Sequence, residues 1–139
     1  QPIQPIKTAL ASGATFVAQS VSSDIKELTS IIQQAIAHKG FSFVNVFSPC
    51  VTYNKVNTYD WFKENLISIA DLEDYDVHNA TGAMNSIMEN DGLLKGIIYH
   101  NPDAPSYEEH IEGYDDQPLI SREMRLERDT FDDMMAEFK

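Results

Sequence analysis

The run TFVAQSVSSDIKELTSIIQQAIAHKGFSFVNVFS occupies residues 15–48 and decides the fold of this chain. Its first part, residues 15–19, is rich in β-branched and aromatic residues, which predicts a short strand. Residues 23–39 then carry apolar side chains at helical spacing and are followed by a glycine, which predicts an amphipathic helix. Residues 41–48 are apolar without clean alternation, as in parallel strands covered on both faces. Together these segments predict a βαβ unit with two parallel strands.

The predicted helix carries one apolar stripe, through Ile25, Leu28, Ile32, Ala35 and Ile36. One or two helices cannot cover both faces of two short strands. We therefore expect this unit to need more sheet and more helix, from a longer chain or from an obligate partner. Elsewhere the chain predicts short helices near 5–12, 57–68, 79–89 and from 130 onward, and a strand near 93–99.

Composition excludes several classes of function. The 139 residues carry a formal net charge of −12, which divides into +1 for residues 1–70 and −13 for residues 71–139. Such an acidic chain repels nucleic acid and anionic membranes, so we expect neither as a partner. No apolar run approaches the ~20 residues of a membrane span. The single cysteine excludes an internal disulfide framework and favours a cytoplasmic location.

That cysteine, Cys50, is the residue most open to a chemical role. Pro49 directly follows the predicted strand and removes a backbone donor, which places Cys50 in irregular chain. The carboxyl end of a parallel strand is where α/β proteins place their ligands. A lone thiol there can be a side chain without a chemical role, a nucleophile, or one ligand of a metal site whose other ligands come from other segments.

Other motifs are lacking from the sequence. It contains no Walker loop, no G-x-G-x-x-G, no H-E-x-x-H and no C-x-x-C, and its four histidines, at 38, 78, 100 and 110, show no ligand spacing. We interpret His38 as complementing the C-terminus of the predicted helix. Residue chemistry alone therefore indicates part of an α/β fold, with one thiol at a position where such folds bind ligands.

Four runs add a resemblance to a known family. They are ALASGATFVA at 9–18, AHKGF at 37–41, SPCVTYN at 48–54 and NTYDWFK at 57–63. In this order and spacing they resemble the β subunit of the 2-oxoacid:ferredoxin oxidoreductases, with the 2-oxoglutarate type closest. Beyond about residue 70 the resemblance is loose.

The resemblance implies an oxidative decarboxylation. In this family thiamine diphosphate with Mg²⁺ attacks a 2-oxoacid, CO2 leaves, coenzyme A takes the acyl group, and electrons reach ferredoxin through a [4Fe–4S] cluster. It implies an α subunit as partner, and it implies that Cys50 is a cluster ligand. The family's G-D-G segment for Mg²⁺ and the diphosphate is not in this sequence, so the resemblance assigns no catalytic or thiamine-binding residue here.

We therefore expect an α/β C-terminal fragment of such a β subunit, built from two parts. Residues 1–56 would be the last βαβ unit of the thiamine-diphosphate-binding fold, and residues 57–139 an acidic C-terminal extension. Alone, the fragment should bind no cofactor, be inactive, and self-associate or be loosely ordered at its uncovered face. The alternative is a freestanding acidic protein-interaction module, and a thiol enzyme that uses Cys50 ranks third.

Overall fold

A computed structural model describes residues 3–111, 117–121, 125 and 127–138, which fall into two compact units, 1–107 and 108–139. The first unit contains helices α1 (Pro5–Ala11), α2 (Ile25–Ala37), α3 (Tyr59–Asn65) and α4 (Ala80–Glu89), strands β1 (Phe16–Val21), β2 (Ser42–Phe47), β3 (Ile67–Ser68) and β4 (Leu94–His100), and a 3-10 turn at Ile69–Asp71. The second unit contains 3-10 turns at Glu108–His110 and Leu119–Ser121 and helix α5 (Arg128–Ala136).

The predicted βαβ unit is confirmed. Strands β1 and β2 are parallel and in register from Phe16 opposite Ser42 to Val21 opposite Phe47, and α2 connects them. The carboxylate of Asp24 caps α2 by accepting a hydrogen bond from the Glu27 backbone N–H at 3.3 Å. The α/β class inferred from the sequence is therefore correct.

The sheet also extends on the far side of β1. Strand β4 is antiparallel to β1, and the short β3 is parallel to β4, which gives the strand order β2-β1-β4-β3. Gly96 of β4 has a φ of 116°, and a Cβ at that position would lie 3.3 Å from Cβ of Ile69. Glycine therefore permits both the backbone conformation and the close approach of the 3-10 turn to the sheet.

Two cores lie on opposite faces of the sheet, because successive residues of a strand point to opposite faces. On one face α1 and α4 pack against Val17, Leu94 and Ile98. On the other face Ile31 of α2 packs against Phe16 and Ala18, with Ala35, Val44 and Ile97 partly buried around them. All six residues of β1 are buried, so β1 is the centre of the first unit.

The apolar stripe predicted for α2 is wrong in its orientation. Ile25, Ile32 and Ile36 are 72%, 41% and 79% exposed, whereas Ile31 is 3% exposed and faces the sheet. Adjacent isoleucines at 31 and 32 allow two different stripes on the same helix, and the sheet selects the one through Ile31 and Ala35.

Strand β2 also differs from its prediction. It lies at the end of the sheet order, and its residues are half-buried except Val46, which is exposed, rather than covered on both faces. Since β4 joins the sheet of β1 and β2, residues on both sides of position 56 build the first unit. The division into a thiamine-diphosphate-binding part (1–56) and an acidic extension (57–139) stays a prediction.

In the second unit, α5 confirms the predicted terminal helix, although it begins at Arg128, two residues earlier than expected. All of its residues are exposed. Within the described ranges, no helix of either unit combines the length and the apolar character that crossing a bilayer requires.

The two isoleucine positions on α2 give a direct stability test. Ile31→Ala removes a buried side chain from the α2 face of the sheet, so we expect the free energy of unfolding to fall by about 2–4 kcal/mol. The matched control Ile36→Ala removes the same atoms from a 79% exposed position and should change it by less than about 1 kcal/mol. Urea denaturation measures both values, and equal effects would contradict this orientation of α2.

Candidate functional site

The carboxyl ends of β1 and β2 lie at one edge of the sheet, because the two strands are parallel. Strand β1 leads there into the start of α2, and β2 leads into residues 48–57, which we name the Cys50 loop. Cys50 lies in irregular chain three residues beyond Phe47, as the sequence predicted. This edge is the position at which α/β sheets bind ligands.

Backbone hydrogen bonds organise the Cys50 loop. The carbonyl of Cys50 accepts from the Asn54 N–H at 2.9 Å, and Oδ1 of Asn54 accepts from the N–H groups of Val56 and Asn57, each at 3.0 Å. An asparagine that bonds to backbone N–H groups two and three residues ahead forms a tight local turn. The loop therefore holds a defined position for the cysteine.

The Cys50 thiol is exposed and free. The backbone N–H groups of Tyr53 and then Thr52 make the largest contributions that lower the pKa of this thiol below its ordinary value. A lowered pKa increases the thiolate fraction, and the thiolate is the form that binds metals and attacks electrophiles. Among the described residues, no group of three or more histidine, cysteine, aspartate or glutamate side chains is arranged to hold a metal ion. A metal bound at Cys50 would therefore need further ligands from outside the described residues.

Beneath the Cys50 loop lies a depression of about 330 Å³ that Phe47, Pro49, Cys50 and Phe62 help to line. The rings of Phe47 and Phe62 stack with their centroids 4.6 Å apart, which fixes the end of β2 against α3. Phe62 is only 8% exposed. This stacked pair forms part of the surface next to Cys50.

Phe62 also borders a second hollow, about 490 Å³ in volume, which we name the Lys95 cleft. Val21, Asp24, Tyr59 and Lys95 line it together with Phe62. The cleft therefore lies beside the Cys50 loop at the same edge of the sheet.

An ion-pair network forms one wall of the Lys95 cleft. Nζ of Lys95 donates to Oδ2 of Asp24 at 3.1 Å and to Oε1 of Glu27 at 3.3 Å, and the buried Ser20 hydroxyl donates to Oε2 of Glu27 at 2.7 Å. The hydrogen bond from Lys95, followed by that from the Glu27 N–H, lowers the pKa of Asp24. Burial lowers the pKa of Lys95, but its bonds and charge interactions with both carboxylates outweigh burial, and the net change raises it. The network thus ties β4 to the start of α2.

Three of the histidines meet at the opposite edge of the sheet, which sequence spacing did not indicate. The ring of His100 lies 5.2 Å from that of His38 and 5.9 Å from that of His78, measured between centroids. Nε2 of His38 is 2.8 Å from Oγ1 of Thr15, and Nδ1 of His78 donates to the His100 carbonyl at 2.6 Å. His38 caps α2 through its backbone, as interpreted, but its ring packs into this cluster.

The histidine cluster predicts a pH dependence of stability. Burial, and then the nearby His100, lowers the pKa of His38 from its ordinary 6.5. The unfolded chain therefore takes up a proton at position 38 at a higher pH than the folded chain does. We expect the free energy of unfolding to fall as the pH drops below 6.5 toward the lower folded pKa, with no contribution from His38 at pH well above 6.5.

In the variant His38→Gln this part of the pH dependence should disappear. Urea denaturation of wild type and variant across the acid range measures how the free energy of unfolding changes with pH. The difference between the two slopes isolates the contribution of His38, because the other titrating groups are present in both proteins. Identical slopes would contradict the assignment to His38.

Comparisons with known proteins agree with the resemblance found in the sequence. A family model for the C-terminal part of the pyruvate ferredoxin oxidoreductase beta subunit matches residues 50–116. A 2-oxoacid:ferredoxin oxidoreductase subunit β from Sulfolobus sp is 36% identical over 119 residues, which are 78% of this chain and 39% of that protein. The subunit β of 2-oxoacid:ferredoxin oxidoreductase 2 from Aeropyrum pernix is 31% identical over 143 residues, covering 93% of this chain and 46% of that protein.

A solved structure agrees with these relatives. It is the 2-oxoglutarate:ferredoxin oxidoreductase from Magnetococcus marinus with 2-oxoglutarate, coenzyme A and succinyl-CoA bound. The match has a TM-score of 0.69 and 34% identity, and it covers 76% of this chain and 36% of that one. The chain thus spans less than half the length of each of these three proteins. Sequence relatives and fold lead to the same conclusion: the chain belongs to the family of 2-oxoacid:ferredoxin oxidoreductase β subunits.

Proposed function

We propose that this chain forms part of the β subunit of an enzyme that oxidatively decarboxylates a 2-oxoacid. In that reaction the bond between the 2-oxo carbon and the carboxylate breaks, CO2 leaves, the acyl group passes to the thiol of coenzyme A, and the released electrons reduce ferredoxin. The relatives that carry this proposal are β subunits, so an α subunit would be the partner in the assembled enzyme.

The substrate that we propose is 2-oxoglutarate. The Magnetococcus marinus enzyme, which was solved with 2-oxoglutarate and succinyl-CoA bound, shares 34% of its aligned residues with this chain. Its fold match covers 76% of the chain. These similarities favour 2-oxoglutarate over other 2-oxoacids for the parent enzyme.

Within this chain, Cys50 is the residue to which we assign a cofactor role, as one ligand of a [4Fe–4S] cluster. Three observations support the assignment: its thiol is exposed, it lies at the carboxyl edge of the sheet, and backbone N–H groups lower its pKa. Such clusters are commonly held by four cysteine thiolates, and this chain contains one cysteine. The other ligands, and the residues that bind thiamine diphosphate and Mg²⁺, would belong to other parts of the enzyme.

A cluster bound at Cys50 would carry electrons from the reaction toward ferredoxin. The residues of this chain would hold the sulfur in place: Asn54 fixes the Cys50 loop, and the Phe47–Phe62 stack supports it from below. Because this chain supplies one thiol and no G-D-G segment, we infer that its 139 residues alone do not catalyse decarboxylation.

Substitution of Cys50 in the whole enzyme tests this proposal. Cys50→Ala should remove or alter the visible and electron paramagnetic resonance signals of the cluster and abolish ferredoxin reduction, while thiamine diphosphate still binds. The matched control Ser48→Ala changes another exposed side chain of the same loop and should leave the cluster signals unchanged. Unchanged signals in Cys50→Ala would show that Cys50 is not a ligand.

A further inference from the structure

The Cys50 loop exposes apolar side chains that ligation of a cluster does not use. Val51, Tyr53 and Val56 are 56%, 90% and 74% exposed. Single exposed apolar residues are ordinary on a protein surface, but three of them within six consecutive residues form a local patch. Apolar patches of this kind mark contacts with other molecules.

Hydrogen bonds hold this patch together around Cys50. Nζ of Lys55 donates to the Val51 carbonyl, and the Asn54 N–H donates to the Cys50 carbonyl at 2.9 Å. Oδ1 of Asn54 accepts from the Val56 N–H at 3.0 Å. These bonds fold the second half of the loop back onto its first half. The exposed side chains and Cys50 therefore belong to one continuous surface.

The Cys50 loop also differs in charge from the rest of the chain. Its sequence, SPCVTYNKVN at 48–57, contains Lys55 and neither aspartate nor glutamate, so its formal charge is +1. The whole chain carries −12, which leaves −13 for the residues outside the loop. An acidic partner is repelled by most of this chain and attracted at the loop, so charge steers such a partner there.

We propose that the Cys50 loop is a docking surface for ferredoxin. Val51, Tyr53 and Val56 would contact an apolar patch of ferredoxin, and Lys55 would pair with acidic side chains around that patch. This inference rests on the proposed function, since it takes the electron acceptor of that reaction as the occupant. A ferredoxin bound here takes up one electron from a reduced cluster at Cys50, and the cluster is oxidised in the same step.

The size and position of the loop suit this partner. Weak electron-transfer complexes bury less than about 1,200 Å², whereas permanent subunit interfaces bury roughly 2,000 Å² or more. A ten-residue loop with one aromatic anchor is adequate for an interface of the first kind. Val51 directly follows Cys50, and consecutive Cα atoms are about 3.8 Å apart. A protein that contacts Val51 therefore lies close to the sulfur, as electron transfer requires.

The test measures binding of ferredoxin from the same organism to the assembled, cluster-loaded oxidoreductase by calorimetry at low salt. Lys55→Glu should raise the Kd by about tenfold or more, because it replaces attraction by repulsion. Tyr53→Ser should have an effect of similar size, because it removes the aromatic anchor. Added salt should weaken binding by wild type more than binding by Lys55→Glu.

Two variants serve as matched controls. Lys55→Arg keeps the positive charge at the same position and should bind ferredoxin like wild type. Lys39→Glu makes the same charge reversal at an exposed position just before β2, at the opposite edge of the sheet, and should also bind like wild type. The electron paramagnetic resonance signals of the cluster should be unchanged in Lys55→Glu, which separates weaker docking from loss of the cluster.

Wild-type affinity in both Lys55→Glu and Tyr53→Ser would overturn the proposal, and so would ferredoxin binding that does not depend on salt. The first result is expected if the segments that carry the other cluster ligands cover the loop. Failure of this inference is distinguishable from failure of the proposed function. If Cys50→Ala loses the cluster signals while Lys55→Glu binds ferredoxin normally, the docking surface is wrong and the cluster assignment stands. The reverse pattern would reject the cluster assignment and support the docking surface.

Discussion

The complete burial of β1 constrains the rest of the first unit. Its two polar residues, Gln19 and Ser20, are 2% and 0% exposed, and buried polar groups require hydrogen-bond partners. The Gln19 amide donates to the carbonyls of Gly92 and Leu94 at 2.7 and 2.6 Å, and its oxygen accepts from Asn45 of β2 at 2.7 Å. One buried side chain thus fixes both neighbouring strands, β2 and β4, against the central one.

The positions of the Cys50 loop, the Lys95 cleft and the histidine cluster follow from this constraint. The parallel pairing of β1 and β2 brings the Cys50 loop and the Lys95 cleft to the carboxyl edge, while the antiparallel β4 delivers Lys95 to that edge and His100 to the opposite one. The ion pairs of Lys95 with Asp24 and Glu27 then hold the start of α2 against the sheet. The position of the proposed cluster ligand is thus a consequence of this sheet arrangement.

Local patterns in the sequence predict much of this fold, because helices, strands and caps depend on neighbouring residues. They do not predict the pairing of β4 with β1, the contact of Lys95 with Asp24 or the meeting of His38 with His100. Each of these joins residues that are far apart in the chain, and no local pattern encodes such a contact. The position of Cys50 follows from its strand and proline, whereas its role as a ligand comes from family resemblance and stays a proposal.

The central proposal is that Cys50 is a ligand of the iron–sulfur cluster in the assembled enzyme. A high-resolution structure of the assembled oxidoreductase that contains this chain tests it most directly. We expect Sγ of Cys50 to be bonded to an iron of the cluster. A structure in which the Cys50 thiol is remote from any cluster would contradict the proposal.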